Sequence, residues 1–212
     1  LLVDKMGFID GANGSDNINN IFIIELNGSI YGQAWKINNC NDSCVEIDNN
    51  YNESDYHTNG LAAMEVTLIH EYFHTIQYAY RCDYFTDAYF YELTSVWIED
   101  IGFPDNNDYI NFMLSNSSTN YFNNPEKDID DTNGYSTSWY GHYLSTQLDD
   151  VEGITYLSEL ESTIMRKIWE RLSVSSASAV NVIDYVLDNE YGTTFIETWI
   201  DFNTRNLFNQ LD

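Results

Sequence analysis

The spacing of hydrophobic positions divides the chain into two parts that meet near residue 58. In the first part, three short runs of β-branched or alternating apolar residues predict β-strands. The third run alternates apolar and acidic residues, as an edge strand does, and the Asn27-Gly28 pair predicts a hairpin turn between the first two. The predicted strands span residues 20–26, 29–35 and 44–48.

Helical spacing dominates the second part, where apolar residues recur every three or four positions. Thr194 and Glu197 have the spacing of a capping box at the start of the last helix. The stretch 115–138 is polar and aromatic without a period, and it is long enough to predict a functional loop. The predicted helices span residues 61–81, 87–100, 105–114, 139–148, 154–172, 177–189 and 194–208.

The change from strands to helices predicts two lobes of one domain rather than two domains. We expect an α+β fold over residues 1–212, because no repeat or low-complexity linker interrupts the chain. The β-rich lobe would include the first long helix and span residues 1–81. The mainly helical lobe would span residues 82–212.

Composition and net charge limit the kinds of molecule that this protein can bind. The chain is 43% hydrophobic and 16% aromatic, which is typical of a folded protein. Its 34 acidic and 8 basic residues give a net charge of -26, which repels phosphate backbones and anionic lipids. We therefore expect no nucleic-acid partner and no membrane association. The acidic composition favours a secreted protein. Because the sequence begins with Leu1, we expect it to be a piece of a longer precursor. We also expect a monomer.

The three cysteines do not form the framework of a disulfide-rich scaffold. Cys40 and Cys44 lie close together in a polar segment, where they could form a small disulfide, remain free thiols or supply two thiolates to a metal. Cys82 stands alone in the sequence.

An H-E-x-x-H sequence lies within the first predicted helix, at His70-Glu71-Tyr72-Phe73-His74. Residues four apart project from one face of a helix about 6 Å apart, so the two imidazoles can bind one zinc ion. Glu71 is rotated by about 100° from His70, beside the ion and not on it. There its carboxylate can take a proton from a zinc-bound water. The alternative is a pair of structural histidines on an amphipathic helix.

A zinc hydrolase needs a third protein ligand. Residues 75–81 lack the glycine and third histidine of the metzincin sequence, which leaves a carboxylate from the next helix. Glu92 returns near the histidine pair if the two helices are antiparallel, and Glu99 and Asp87 are the alternatives. Glu99 could instead bond a ligand histidine, and so could Gln77.

These residues carry a resemblance to known enzymes. The run from 68 to 78, followed by Glu92 and by Trp97-Ile98-Glu99-Asp100, resembles the gluzincin group of zinc metallopeptidases. More narrowly, it is similar to a family of secreted metalloproteases in which H-E-x-x-H-x-x-Q precedes a glutamate-containing helix that ends in Trp-x-Glu.

The resemblance implies a zincin-like fold, with a twisted sheet over the H-E-x-x-H helix and a helical lobe below. It also implies that His70, His74 and Glu92 are the zinc ligands and that Glu71 is the general base. The chain departs from thermolysin-like members at Val96, where they carry an acid that orients the first histidine.

The oxyanion of the reaction needs a second hydrogen-bond donor besides the metal. Tyr140 and His142 follow the long loop and are the leading candidates, and Tyr135 is the third. Two acidic loops, 10–16 and 128–134, could bind calcium as a second ion. The alternative is that both are solvated turns.

The sequence as a whole predicts a zinc endopeptidase that binds an extended peptide or protein substrate along the strand 44–48. The negative charge predicts poor cleavage of acidic substrates. The alternatives are a zinc amidase or deformylase that acts on a small amide, and a non-catalytic binding module stabilised by zinc.

Overall fold

The computed structural model describes residues 1–12, 14, 18–52, 56–113, 117–149 and 163–208, which form an α+β fold. The strands are β1 (Asn20–Ile24), β2 (Gly32–Ile37) and β3 (Asp42–Asp48). The helices are α1 (Gly60–Tyr80), α2 (Ala88–Gly102), α3 (Tyr109–Met113), α4 (Ser138–Gln147), α5 (Thr163–Ser173), α6 (Ala179–Val186) and α7 (Phe195–Phe208).

The three strands form one mixed sheet in the order β1-β3-β2. β3 is parallel to β1 and antiparallel to β2, so the predicted hairpin between the first two strands is wrong, and so is the edge position of the third. Alternate side chains of β3, at Ser43, Val45 and Ile47, are buried. In the central position β3 pairs along both edges and also buries this face. Sheet order thus followed long-range burial rather than the local turn signal at residues 27–28.

Helices α1 and α2 pack against each other as an antiparallel pair. His70 on α1 contacts Glu99 on α2, whereas Gln77, further along α1, bonds Tyr91, near the start of α2. The predicted limits of both helices are confirmed to within two residues. Their pairing brings the H-E-x-x-H face of α1 against α2, on the side that also faces β2.

Several helix limits differ from the predictions. α3 begins four residues later than predicted. For the helix predicted at 154–172, residues 154–162 lie outside the described residues, and α5 begins at Thr163. α6 continues into a π-helical turn, Leu187–Tyr191. The capping box is confirmed, because Glu197 N donates to Thr194 Oγ1 at 3.2 Å and Thr194 N donates to Glu197 Oε2 at 3.0 Å.

A disulfide joins Cys40 to Cys82, so the predicted small clip between Cys40 and Cys44 is wrong. Cys44 lies on β3, whereas Cys40 ends a turn in which three successive residues have positive φ. This turn places Cys40 against the connection between α1 and α2, where Cys82 lies. The disulfide thus ties the sheet to the helical lobe.

The main core lies among the helices, around the fully buried indoles of Trp97 on α2 and Trp169 on α5. A smaller core lies between β3 and the start of α1 and includes Val45, Ile47 and Ala63. Among the described residues, no helix combines the length and the apolarity that crossing a membrane requires.

Candidate metal centre

Two histidines and one glutamate converge between α1 and α2. His70 Nε2 lies 3.3 Å from Glu92 Oε2, and His74 Nε2 lies 3.6 Å from Glu92 Oε1. One ligand atom from each of the three residues falls within 4.8 Å of the others. We refer to these residues as the His70–His74–Glu92 group.

The geometry of this group fits a tetrahedral zinc site. Ligands that lie about 2.0–2.2 Å from a zinc ion in a tetrahedron are about 3.3–3.6 Å apart. The two nitrogen-to-oxygen distances fall in this range, and each ends at a different oxygen of the Glu92 carboxylate. Two imidazoles and one carboxylate also match the donor set of catalytic zinc sites, which keep a fourth position open. Of the predicted third ligands, the structure therefore brings Glu92 to the histidines.

Glu99 lies behind His70. Its Oε1 is 2.5 Å from His70 Nδ1, so the carboxylate fixes the imidazole with Nε2 directed toward Glu92. Thermolysin-like enzymes carry the acid that orients the first histidine at the position of Val96. Here Glu99, one turn further along α2, provides that acid. Asp87, the other alternative ligand, pairs with Arg81 and accepts a hydrogen bond from Ala179 N.

Gln77 has the same role behind His74. Its Oε1 lies 2.6 Å from His74 Nδ1. The two N–H groups of its Nε2 face three acceptors at 3.0–3.1 Å, namely Tyr91 O, Thr94 Oγ1 and Ser95 Oγ. Gln77 is fully buried, so these bonds anchor the amide against α2 and hold the second imidazole in place.

Glu71 lies beside the group without belonging to it. The residue is 9% exposed and lines the cavity in front of the His70–His74–Glu92 group. It packs against Gly32 of β2, where an added Cβ would come within 3.0 Å of Glu71 Cγ. Burial raises the pKa of Glu71, and the neighbouring His70 and His74 oppose that shift. A carboxylate with a raised pKa is better suited to accept a proton near neutral pH.

The electrostatic environment of the group favours a cation. Burial disfavours the Glu92 carboxylate, but His74, His70 and the Tyr84 hydroxyl outweigh this effect and lower its pKa to about 2. Burial also disfavours charge on His70, yet its bonds to Glu92 and Glu99 raise its pKa well above the ordinary value. The negative potential that favours a proton on the imidazole also favours a divalent metal ion.

A cavity of about 360 Å³ opens in front of the group. Residues 32–36 of β2 form one wall, and Tyr78, Tyr84, Phe85 and Tyr135 contribute aromatic side chains. Tyr84 OH donates to Glu92 Oε1 at 2.7 Å, and the ring of Tyr135 stacks on that of His70 with the centroids 5.9 Å apart. β2, and not the predicted β3, is therefore the strand that borders the site.

The two leading candidates for the oxyanion donor lie away from this cavity. Tyr140 is fully buried in the helical core, where its hydroxyl lies 2.7 Å from Thr198 Oγ1. His142 Nε2 lies 3.6 Å from Asp100 Oδ2, and burial lowers the pKa of this histidine to about 4. The structure brings neither residue to the His70–His74–Glu92 group, since both belong to α4, which packs on the other side of α2.

Sequence reasoning ranked Tyr135 third and did not single out Tyr84. Tyr135 belongs to a short 3-10 turn, Tyr135–Thr137, at the end of the predicted functional loop. Tyr84 lies in the connection between α1 and α2, and no local pattern distinguishes either residue among the 17 tyrosines of the chain.

The acidic loops proposed for calcium do not form a second cluster in the described part of the chain. There the His70–His74–Glu92 group is the one set of at least three histidine, cysteine or acidic side chains close enough to hold an ion. The loop 10–16 lies partly outside the described residues. In the loop 128–134, residues Ile129–Asp131 form a short 3-10 turn.

Comparisons of the chain with protein-family models, curated proteins and solved structures found no match.

Proposed function

We propose that this protein is a zinc-dependent hydrolase of peptide bonds, an endopeptidase of the gluzincin type with a zincin-like fold. The observation that carries the proposal is the His70–His74–Glu92 group with the carboxylate of Glu71 beside it. A purely structural zinc site has no need of this fourth residue, an acid that does not bind the metal and lies next to an open cavity.

His70, His74 and Glu92 would hold the ion through two imidazole nitrogens and one carboxylate. A bound zinc ion would polarise the scissile carbonyl and lower the pKa of water. Glu99 and Gln77 contribute by fixing the two imidazoles through their Nδ1 atoms. Tyr84 contributes by holding one oxygen of Glu92.

Glu71 would transfer the proton. Its carboxylate accepts a proton from the water that attacks the scissile carbon, and a C–O bond forms. The same carboxyl then donates that proton to the leaving nitrogen as the C–N bond breaks. The cavity position of Glu71 beside the ligands supports this role.

Tyr135 would stabilise the oxyanion. Burial and the surrounding carboxylates raise its pKa well above the ordinary value, so the phenol stays protonated and can donate a hydrogen bond. Its ring lies against His70 and lines the same cavity as Glu71.

An extended substrate would add to the outer edge of β2, which pairs with no strand in the described part of the chain. Residues 32–36 of this edge strand run along the cavity, and main-chain hydrogen bonds to such an edge are a common means of peptide recognition. We also propose that the protein acts outside the cytosol as a monomer, and the Cys40–Cys82 disulfide supports an oxidising compartment.

The test measures zinc content and cleavage of an unstructured protein by the wild type, Glu71→Gln and Glu65→Gln. Glu65 lies on α1 as well, outside the His70–His74–Glu92 group, and serves as the matched control. We expect one zinc per chain in all three proteins and loss of cleavage in Glu71→Gln alone. Equal cleavage by Glu71→Gln and the wild type, or a wild type that neither binds zinc nor cleaves, would contradict the proposal.

A further inference from the structure

A second, smaller cavity opens from the far side of Glu71. It measures about 190 Å³ and shares Gly32, His70, Glu71 and Tyr135 with the larger cavity. The larger cavity follows β2 forward from Gly32, whereas the smaller one follows the chain backward through residues 29–31. A peptide laid along β2 would therefore pass the mouths of both. We call the smaller cavity the Asp108 side pocket.

Three carboxylates line this pocket, and Asp108 is the one that has no role in the proposed metal centre. Of the other two, Glu99 is held by His70, and Glu71 is the proposed base. Asp108 is 5% exposed, and its Oδ1 accepts a hydrogen bond from Thr58. Because this donor is a neutral hydroxyl, a cation in the pocket would gain a charge-assisted bond to the carboxylate.

The walls of the pocket also suit a cation. Tyr31, Phe112 and Tyr135 contribute aromatic rings, and Phe112 lies 6.3 Å from Tyr31 and 5.5 Å from Tyr135 between centroids. Aromatic faces attract ammonium and guanidinium groups and pack against their aliphatic stems. Among the described lining residues, His70 is the basic side chain, and it is held by Glu99 and Glu92 at the end of the pocket shared with the larger cavity.

We infer that the Asp108 side pocket receives a lysine or arginine side chain of the substrate, next to the bond that is cleaved, and that Asp108 determines this specificity. The inference rests on the proposed function, because it assigns a substrate class to the same site. It is separate from the general preference for cations that the net charge of -26 creates, since it depends on one residue.

The test compares the wild type with Asp108→Asn, which keeps an oxygen acceptor for Thr58. The matched control is Asp105→Asn, an exposed residue in the same connection between α2 and α3. Zinc-loaded proteins digest a mixed peptide library, and mass spectrometry maps the cleavage sites. Paired peptides with lysine or norleucine at the preferred position then give kcat/KM. In parallel, calorimetry measures binding of butylguanidinium, with butanol as the neutral comparison.

We expect the wild type and Asp105→Asn to prefer lysine or arginine at one position beside the cleaved bond. Asp108→Asn should lose about 10- to 100-fold of that preference and of butylguanidinium affinity, the range for one hydrogen bond to a charged group. A wild type that cleaves lysine and norleucine peptides equally would overturn the inference even if Asp108→Asn fails to fold. So would a preference that survives in Asp108→Asn.

The two proposals fail separately. Cleavage without a preference for lysine or arginine would support the hydrolase and exclude the proposed role of the Asp108 side pocket. Butylguanidinium binding that depends on Asp108, without any cleavage, would leave the pocket standing and remove the hydrolase. A wild type that neither cleaves nor binds butylguanidinium would overturn both.

Discussion

Glu99 Oε1 lies 2.5 Å from His70 Nδ1, although the two residues are 29 positions apart in the chain. Both side chains are almost fully buried, and the contact joins the centre of α1 to the end of α2. Because His70 directs its other ring nitrogen toward Glu92, this one contact decides which nitrogen of the imidazole is available to the proposed metal ion.

Glu99→Gln should weaken zinc binding about 10- to 100-fold, which is the usual cost of losing a partner behind a ligand histidine. The amide can still accept from Nδ1, but it no longer supplies the negative charge. Competition with a chromogenic chelator measures the affinity, and Glu65→Gln serves as the control. An unchanged affinity in Glu99→Gln would show that the contact serves folding only.

Tyr135→Phe should lower kcat about 10²- to 10³-fold and leave zinc content unchanged, because it removes one oxyanion donor. Tyr140→Phe is the comparison, since it removes only the contact with Thr198 in the core. That variant should keep its activity and lose about 0.5–1.5 kcal/mol of unfolding free energy. Steady-state kinetics and urea unfolding distinguish the two. An equal loss of kcat in both variants would exclude Tyr135 as a specific donor.

Asp48→Asn should destabilise the protein by about 1–3 kcal/mol at pH 7. Asp48 is 1% exposed and accepts hydrogen bonds from the backbone N–H groups of Leu26, Asn50 and Tyr51. Burial alone would raise the pKa of Asp48, but these bonds outweigh it and lower the pKa below the ordinary value. Asp48 thus joins the end of β3 to the chain that follows β1.

The sign of the pH dependence follows from that shift. A carboxylate with a depressed folded-state pKa stabilises the fold above its unfolded-state pKa of about 3.9, and loses this effect as the pH falls further. Urea unfolding at pH 7, 5 and 3.5 should therefore show the gap between the wild type and Asp48→Asn narrowing at the lowest pH. Asp4→Asn, at an exposed position, is the control and should have the same unfolding free energy as the wild type at every pH. A difference between Asp48→Asn and the wild type that grows as the pH falls would contradict the assignment.

Replacing both Cys40 and Cys82 with serine should lower the unfolding free energy by about 2–4 kcal/mol, because the disulfide closes a loop with a sequence separation of 42. Cys44→Ser leaves the disulfide intact and should have a much smaller effect. Urea unfolding with and without a reductant provides the measurement. We expect the reductant to lower the unfolding free energy of the wild type and to leave that of the double variant unchanged. An equal loss in both proteins would show that the effect does not come from this disulfide.

Much of the helical framework was predictable from local spacing. The limits of α1 and α2 follow from the 3.6-residue period, and so does the projection of His70 and His74 from one face. Glu92 was also predictable, because an antiparallel neighbour of known helical rise returns to the level of the histidines. Glu99 and Gln77 were identified as possible partners of His70 and His74, and the structure confirms both contacts.

The aromatic residues of the site were much harder to predict. Tyr140 and Tyr135 both lie near the end of one loop, and their sequence surroundings do not reveal which ring faces the His70–His74–Glu92 group. The packing of α4 on α2 buries Tyr140 in the core, while the short turn before α4 directs Tyr135 toward His70. Tyr84 reaches Glu92 only because the α1–α2 connection folds back over the site.

The sequence by itself determined most of the helical framework and the projection of His70 and His74 from one face of α1, since that spacing is a property of a single helix. The choice of Glu92 as their partner also depended on the antiparallel packing of α2 against α1. Only the tertiary structure decided the strand order, the Cys40–Cys82 pairing and the tyrosines that line the cavity. The physical reason is that helical contacts join residues three or four apart. Strand pairs, disulfides and cavity walls join distant residues, whose partners are chosen by how the whole chain buries its apolar surface.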